Sequence, residues 1–351
     1  MKKLASVFLA LVMVLSMASF VSAEDTYELA LITDIGTIDD KSFNQGAWEG
    51  VVAYAEANGV SHKYYKPTEK STDAYLAAID LAVNAGAKTI VTPGFLFEEP
   101  IFIAQDIYPE VNFILLDGEP HDADYAYRTE KNVMPILYAE QEAGFLAGYA
   151  VVKAGYTKLG FMGGMAVPAV IRYGYGFVQG AEKAAEELGL TEITMNYHYT
   201  GGFDATPEAQ TLAASWYNDG VEVIFGCGGA VGNSVMAAAE AAGKYVVGVD
   251  VDQSGESDTV ITSAMKGLSA SVEAAIADIY AGAFKGGETA VFSAKNNGVQ
   301  LPMATSKLGD FDQAAYDELF GKIVSGEYEI NADTEADVTT LGTIVKVTVV
   351  E

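Results

Sequence analysis

Buried-strand patterns and amphipathic-helix patterns alternate along most of this 351-residue chain. Short apolar runs, of which residues 27–33 are the first, predict buried strands. The segment after that run carries apolar side chains at the helical positions Phe43, Ala47 and Val51. Strands that alternate with helices are typical of βαβ units, so the pattern predicts a parallel sheet.

Two series of such units are predicted, separated by a long helix over residues 133–152. The first series has strands at 27–33, 62–65, 89–93 and 112–117, with helices after residue 43 and at 73–85 and 100–107. The second series has strands at 158–162, 193–199, 221–225 and 244–250, with helices at 173–188, 207–218 and 233–242.

The patterns after residue 258 do not predict a third domain. Strands at 259–263 and 298–303 and helices at 269–284 and 313–324 are expected to return to the two lobes. We therefore predict an α/β fold with two Rossmann-like lobes: 24–131 plus about 256–290, and 132–255 plus about 291–351. Several crossings between lobes predict a hinged cleft, which is typical of proteins that close around a solute.

The N-terminus has the pattern of a secretory signal. A basic pair at residues 2–3 precedes an apolar run over residues 4–20, and residues 21–23 fit a small-residue cleavage site. The only cysteine, Cys227, lies far from that site, so neither lipid attachment there nor an intrachain disulfide is expected. We expect residues 1–23 to be removed and the protein to be exported and soluble, either periplasmic or extracellular.

The formal charge of −28 argues against nucleic acid as a partner and suits a neutral or cationic small molecule. The histidines match no metal-ligand spacing, and neither a G-x-S-x-G elbow nor a P-loop is present. We therefore expect a monomer that is not an enzyme and that has no catalytic residue, metal or cofactor.

A polar stretch at residues 33–46 connects the first strand to the first helix, where open α/β folds bind ligands. Its candidate ligand residues are Asp34, Asp40, Phe43 and Asn44. Phe43 suits either stacking on a planar ring or packing in the core.

Asp34 and Asp117 end two strands of the first series and are both expected to face the cleft. Carboxylates at these places suit three roles: acceptors for ligand N–H or O–H groups, helix caps, or an acid–base pair of the kind glycosidases use. No nucleophile in the sequence accompanies them.

The second series supplies further candidates. Phe203 lies in a strand-to-helix loop analogous to that of Phe43, with Tyr173, Tyr175 and Phe177 as competing aromatic residues. The glycine-rich turn that includes Gly229 lets backbone N–H groups approach a ligand. Two further candidates, Asp250 and Lys266, suit a vicinal diol and a hydroxyl group, or else a structural salt bridge near the hinge.

These residues resemble the basic membrane protein family, the PnrA-like substrate-binding proteins of ABC transporters. The resemblance covers nearly all of the chain after the signal and rests on the following motifs: Asp34-x-Gly36, residues 38–45, 113–117, 163–168, Gly176-Phe177-x-x-Gly180, 248–253 and 262–266. Asp39 stands where the family usually has Asn.

The resemblance implies a type I periplasmic-binding fold, a purine nucleoside as ligand and an ABC permease as membrane partner. It implies that Asp34 and Asp117 contact the base, and that Phe43 stacks on it with Phe203 as a second ring. It further implies that Asp250 and Lys266 hold the ribose and that the Gly229 backbone approaches the ligand. Two alternatives stay open: a sugar or other small polar metabolite as ligand, and a secreted nucleoside hydrolase or glycosidase.

Overall fold

The computed structural model describes residues 26–351, so the predicted signal at residues 1–23 lies outside the described residues. Strands and helices alternate through most of the first part. The strands are β1 (Leu29–Ile32), β2 (His62–Tyr65), β3 (Thr89–Pro93), β4 (Asn112–Leu116) and β5 (Val133–Tyr138). The helices are α1 (Phe43–Asn58), α2 (Thr72–Asn84) and α3 (Glu98–Ile107).

The second part continues the alternation. Its helices are α4 (Glu140–Lys153), α5 (Pro168–Leu188), α6 (Pro207–Asn218), α7 (Val231–Ala242), α8 (Leu268–Tyr280) and α9 (Gln313–Ser325). Its strands are β6 (Lys158–Gly163), β7 (Ile193–Tyr199), β8 (Val223–Cys227), β9 (Tyr245–Asp250), β10 (Val260–Lys266), β11 (Ala290–Phe292), β12 (Val299–Gln300) and β13 (Val345–Val349).

Two sheets divide the described residues into two lobes, which confirms the predicted α/β fold class. The sheet of the first lobe has the order β11-β5-β4-β3-β1-β2, and that of the second lobe has the order β12-β10-β9-β8-β6-β7-β13. All neighbours are parallel except β10 and β12. Strands β1, β3 and β8 are buried along their whole length, as strands covered by helices on both faces must be.

The described chain crosses between the lobes three times: after β5, after β10 and after β11. These crossings differ from the predicted boundaries, because β5 extends the first lobe to Tyr138 and β10 belongs to the second sheet. Helix α8 then returns to the first lobe and packs on α1. Which sheet a strand joins depends on distant pairing partners, and periodicity along the chain does not carry that information.

The predicted helix over residues 133–152 is wrong in its first part. Residues Val133–Tyr138 form β5, which pairs with β4, and a helix begins only at Glu140. Both segments are apolar, so helical periodicity did not separate them. The predicted strand at 298–303 shrinks to the two residues of β12, since Pro302 has no N–H to donate to a ladder. Strands β11 and β13 were not predicted.

Glycines bring α4 and α5 into unusually close contact. A Cβ atom added at Gly144 would lie 2.1 Å from the carbonyl oxygen of Tyr173, and one at Gly176 would lie 2.1 Å from the carbonyl oxygen of Gln141. Only glycine permits this approach. The pair matters for the cleft because α4 begins with Glu140 and α5 carries Arg172.

Candidate functional site: the cleft between the lobes

A cavity opens between the lobes at the carboxyl ends of their strands, the usual place for ligands in parallel α/β sheets. Its lining brings together every residue that the sequence proposed as a ligand contact: Asp34, Asp40, Phe43, Asn44, Asp117, Phe203, Gly229, Asp250 and Lys266. Phe95, Val167 and Tyr173 are among the further residues of the wall.

Asp34 lies near the start of the loop between β1 and α1. Its Oδ1 atom accepts hydrogen bonds from the Gly36 N–H at 2.7 Å and from Asn44 Nδ2 at 3.0 Å. No group within residues 26–351 donates a hydrogen bond to its Oδ2 atom. Burial raises the pKa of Asp34 to about 6, against the opposing effect of these hydrogen bonds. Asp34 therefore keeps an open acceptor.

Asp40 has a different role from the one expected. Its Oδ1 atom accepts from the N–H groups of Ser42 and Gln45, and its Oδ2 atom accepts from the N–H and Nδ2 of Asn44. Asp40 thus lines the cavity but caps the N-terminus of α1 with both oxygens. The amide group of Asn44 donates hydrogen bonds to both Asp34 and Asp40, so Asn44 positions these two carboxylates.

Lys266 lies at the centre of a buried charge cluster. Its ammonium group contacts Asp117 Oδ2, Glu140 Oε1 at 3.2 Å and Asp250 Oδ1 at 3.9 Å. Burial acts to lower the pKa of Lys266, but these three carboxylates raise it overall, so the ammonium stays charged. Asp117 is therefore hydrogen-bonded to Lys266, and it does not form a pair with Asp34.

The carboxylates of this cluster differ in environment. Burial raises the pKa of Asp117 to about 7, although Lys266 acts against it, and Asp117 Oδ1 accepts no hydrogen bond from the described residues. Burial also acts to raise the pKa of Glu140, but Lys266 and Arg172 together hold it below its usual value. Arg172 Nε donates to Glu140 Oε2 at 2.6 Å.

Sequence reasoning missed Glu140 and Arg172. The position of Glu140 depends on where α4 begins, and the single helix predicted over residues 133–152 did not show that start. Arg172 lies in α5, and its role depends on its partner Glu140. An acidic residue just after a strand end would have been the available signal, as it was for Asp34 and Asp117.

Aromatic rings enclose the ammonium group of Lys266. Its Nζ atom lies 4.7 Å from the ring centroid of Phe43, 5.2 Å from that of Tyr138 and 5.4 Å from that of Tyr173. These distances fit cation–π contacts. The half-buried Phe43 ring therefore lines the cleft and also contacts the charge cluster.

Two aspartates at the strand ends adopt left-handed backbone conformations, with φ of 57° at Asp117 and 65° at Asp250. Such conformations cost non-glycine residues about 1 kcal/mol or more, and they concentrate at functional sites. Asp250 Oδ2 accepts from Ser42 Oγ at 2.5 Å, and its Oδ1 accepts from the Tyr173 hydroxyl at 3.3 Å. Asp250 therefore links the second lobe to the start of α1.

Phe203 forms the wall of the second lobe, opposite the loop of Phe43. Its ring packs on glycine backbone: a Cβ added at Gly164 would lie 2.4 Å from Phe203 Cδ1, and one at Gly228 would lie 3.2 Å from it. The Ala230 N–H donates to the Phe203 carbonyl at 2.8 Å. Gly229 has φ of 53° in the same turn, so its backbone faces the cavity without a side chain.

Asp39 is exposed and lies outside the lining of this cavity. Among residues 26–351, no group of three or more His, Cys, Asp or Glu is arranged to hold a metal ion. Burial holds the pKa of the Cys227 thiol well above its usual value, which argues against a nucleophilic role.

A family model described as Bmp, ABC transporter substrate-binding protein PnrA-like, matches residues 27–334. The chain belongs to this family. It is a family of substrate-binding proteins rather than enzymes, and its members have a ligand and the permease of an ABC system as partners. Its members are extracellular or membrane-anchored. Within residues 26–351, no helix is long and apolar enough to cross a membrane.

Several curated relatives align with most of the chain. The ABC transporter nucleoside-binding protein BmpA of Lactococcus lactis subsp. cremoris is 30% identical, over 84% of this chain and 87% of that protein. A CD4+ T-cell-stimulating antigen of Listeria monocytogenes is 28% identical, over 87% of this chain and 88% of that protein. Basic membrane protein A of Borreliella burgdorferi is 27% identical, over 88% of this chain and 89% of that protein.

Solved structures share the architecture. An ABC transporter solute-binding protein from Aeropyrum pernix K1 superposes with a TM-score of 0.76 at 24% identity, covering 88% of this chain and 94% of that one. One from Conexibacter woesei gives a TM-score of 0.69 at 24% identity, covering 88% and 99%. At this identity the likeness shows the fold, which is that of the type I periplasmic-binding proteins.

Proposed function

We propose that this substrate-binding protein captures a purine nucleoside in the cleft between its lobes and presents it to an ABC permease. The observation that carries the proposal is that all nine residues proposed as ligand contacts line one cavity, with aromatic rings from both lobes. The name of the Lactococcus lactis relative, a nucleoside-binding protein, supports the same ligand class.

The base is proposed to lie between Phe43 and Phe203, with an edge toward Asp34. Flat rings between aromatic side chains gain stacking energy of about 1–3 kcal/mol for each base, and every base has a face that can stack. The open Oδ2 atom of Asp34 suits an N–H group at that edge, because an ionised carboxylate only accepts hydrogen bonds.

The ribose is proposed to lie near Lys266 and Asp250. Three carboxylates around one ammonium group leave acceptors in excess, which suits the O–H donors of a sugar. In this arrangement Asp117 contacts the ribose end rather than the base, because its hydrogen bond joins it to Lys266. Gly229 completes the wall with its backbone.

Calorimetric titration of the refolded, ligand-free protein tests the proposal with adenosine, guanosine, inosine, uridine, ribose and galactose. The matched variants are Asp250→Asn in the cleft and Asp252→Asn on the exposed surface nearby. Asparagine tolerates the left-handed conformation of residue 250, so the variant changes charge without adding backbone strain.

We expect sub-micromolar binding of purine nucleosides. Loss of hydrogen bonds to a charged group predicts affinity weakened by about tenfold or more in Asp250→Asn and unchanged in Asp252→Asn. Binding of ribose or galactose alone would replace the proposal with a sugar receptor. Release of free base during the titration, followed by chromatography, would indicate a hydrolase instead.

A further inference from the structure

Four buried polar side chains around the loop between β1 and α1 are hydrogen-bonded: Asp34, Asp40, Ser42 and Asn44. The hydroxyl of a fifth, Thr33, has no partner among the described residues. The Ser42 hydroxyl donates to Asp250, and both amide hydrogens of Asn44 go to Asp34 and Asp40. The four hydrogen-bonded side chains therefore keep no free donor for a ligand.

Among the carboxylate oxygens of this loop, the same account leaves one without a donor. Each oxygen of Asp40 accepts two hydrogen bonds, and so does Oδ1 of Asp34. A carboxylate oxygen offers about two acceptor positions. Within the described residues, Asp34 Oδ2 accepts none, so both of its positions are vacant although the residue is only 5% exposed.

The vacant oxygen lies beside the Phe43 ring. A Cβ atom placed on Gly94 would be 3.7 Å from Asp34 Oδ2 and 3.7 Å from Phe43 Cε1, so both atoms border the same small space. A base that stacks on Phe43 would therefore direct one edge at Oδ2. That edge is expected to bring donors, because an ionised carboxylate oxygen only accepts hydrogen bonds.

We propose that the cleft selects guanosine over inosine and adenosine, because guanine brings two adjacent donors to the two vacant positions of Asp34 Oδ2. Guanine carries N1–H and a 2-amino group side by side. Hypoxanthine has the N1–H alone, and adenine has its 6-amino group next to an N1 lone pair that faces the carboxylate. This inference rests on the proposed nucleoside function and adds the base that the site prefers.

A ligand series tests the inference with the unmodified protein. Guanosine, inosine, adenosine, 2-aminoadenosine and 1-methylguanosine are titrated at mildly alkaline pH, where Asp34 is ionised. We expect guanosine to bind about tenfold or more tightly than inosine, since the pair differs only in the 2-amino donor. Methylation at N1 removes the other donor and is expected to weaken guanosine binding by a similar factor.

The variant Asp34→Asn provides a second test. The donors at Gly36 and Asn44 keep the amide oxygen in the Oδ1 position, which places the amide NH2 group where the vacant acceptor was. Guanosine is then expected to lose its advantage, and adenosine, whose N1 accepts, to gain relative to it. The control Asp39→Asn makes the same charge change on the exposed side of the same loop and should leave the preference unchanged.

Equal affinity for guanosine and inosine in the unmodified protein would overturn the inference and leave the nucleoside function intact. Absence of binding by every nucleoside would instead overturn the proposed function. If Asp34→Asn does not fold, as thermal unfolding would reveal, the ligand series alone decides the question.

Discussion

Asp34 and Asp40 are buried carboxylates of one loop, yet their hydrogen bonds give them different roles. The sequence predicted both as ligand residues, because both follow the first strand. Asp40 saturates its oxygens on the start of α1, whereas Asp34 keeps Oδ2 vacant. Which carboxylate caps a helix depends on the turn geometry over residues 36–42. The pattern of residue types does not specify that geometry.

The raised pKa of Asp34 makes a prediction about stability. Its pKa of about 6 in the folded protein exceeds the ordinary 3.8, so the folded state binds more protons than the unfolded state between these values. The free energy of unfolding therefore falls as the pH rises through that range. Asp34→Asn removes the desolvated charge, and we expect it to raise the unfolding free energy above about pH 6, by at most about 3 kcal/mol.

Urea unfolding of the ligand-free protein across the pH range measures this effect. Near about pH 4 and below, where Asp34 holds its proton, the variant and the unmodified protein are expected to converge. Asp39→Asn, on an exposed side chain, should follow the unmodified protein throughout. A lower stability of Asp34→Asn above about pH 6 would contradict the assigned cost of burying this charge.

Helix α4 carries Glu140, which contacts Lys266, and α5 carries Arg172, which donates to Glu140. The close approach of their glycines fixes the distance between Glu140 and Arg172. Gly176→Ala would place a methyl group 2.1 Å from the Gln141 carbonyl oxygen, so the helices must separate. Overpacking of this kind typically costs about 1–3 kcal/mol, and we expect nucleoside affinity to fall as well.

The matched control lies in α9. A Cβ added at Gly321 meets nothing within 4 Å, so Gly321→Ala gains helix propensity without a clash and should stabilise by up to about 1 kcal/mol. Urea unfolding of both variants makes the comparison. If Gly176→Ala behaved like Gly321→Ala, the two helices would be free to separate and would not position the cluster.

Sequence patterns predicted most elements and singled out strand-end residues that line the cavity, because buried parallel strands leave polar residues where they stop. The role of Glu140 was not predicted, because β5 and α4 follow each other closely and the sequence pattern did not separate them. The three residues of β11 are too few to show a period. The pairing of β11 with β5 depends on residues about 150 positions away, which local patterns do not encode.

Several polar contacts connect the lobes across the cleft, including the ion pair of Lys41 with Glu256 at 3.7 Å. Ser42 Oγ donates to Asp250, Gln253 Nε2 donates to the Lys41 carbonyl at 2.7 Å, and Lys266 contacts Asp117. They are the contacts that an opening of the cleft must break.

Ser42→Ala tests how much these contacts support the closed form. Removal of a hydrogen bond to a charged acceptor typically costs about 1.5–3 kcal/mol, so we expect nucleoside affinity to fall by about tenfold or more, mainly through faster dissociation. Stopped-flow measurement of release provides the rate. Ser254→Ala, a serine of the second lobe outside the cavity lining, should release ligand at the unmodified rate.

The pairing of Lys266 with Glu140 has a consequence for the empty receptor. Both residues belong to the second lobe and flank the crossings of the chain, so their contact survives when the lobes swing apart, whereas the contact of Lys266 with Asp117 does not. Opening of the cleft therefore does not leave the buried ammonium group of Lys266 without a carboxylate partner. The ligand-free protein can therefore open at small electrostatic cost, because Glu140 still neutralises Lys266 while the first lobe moves away.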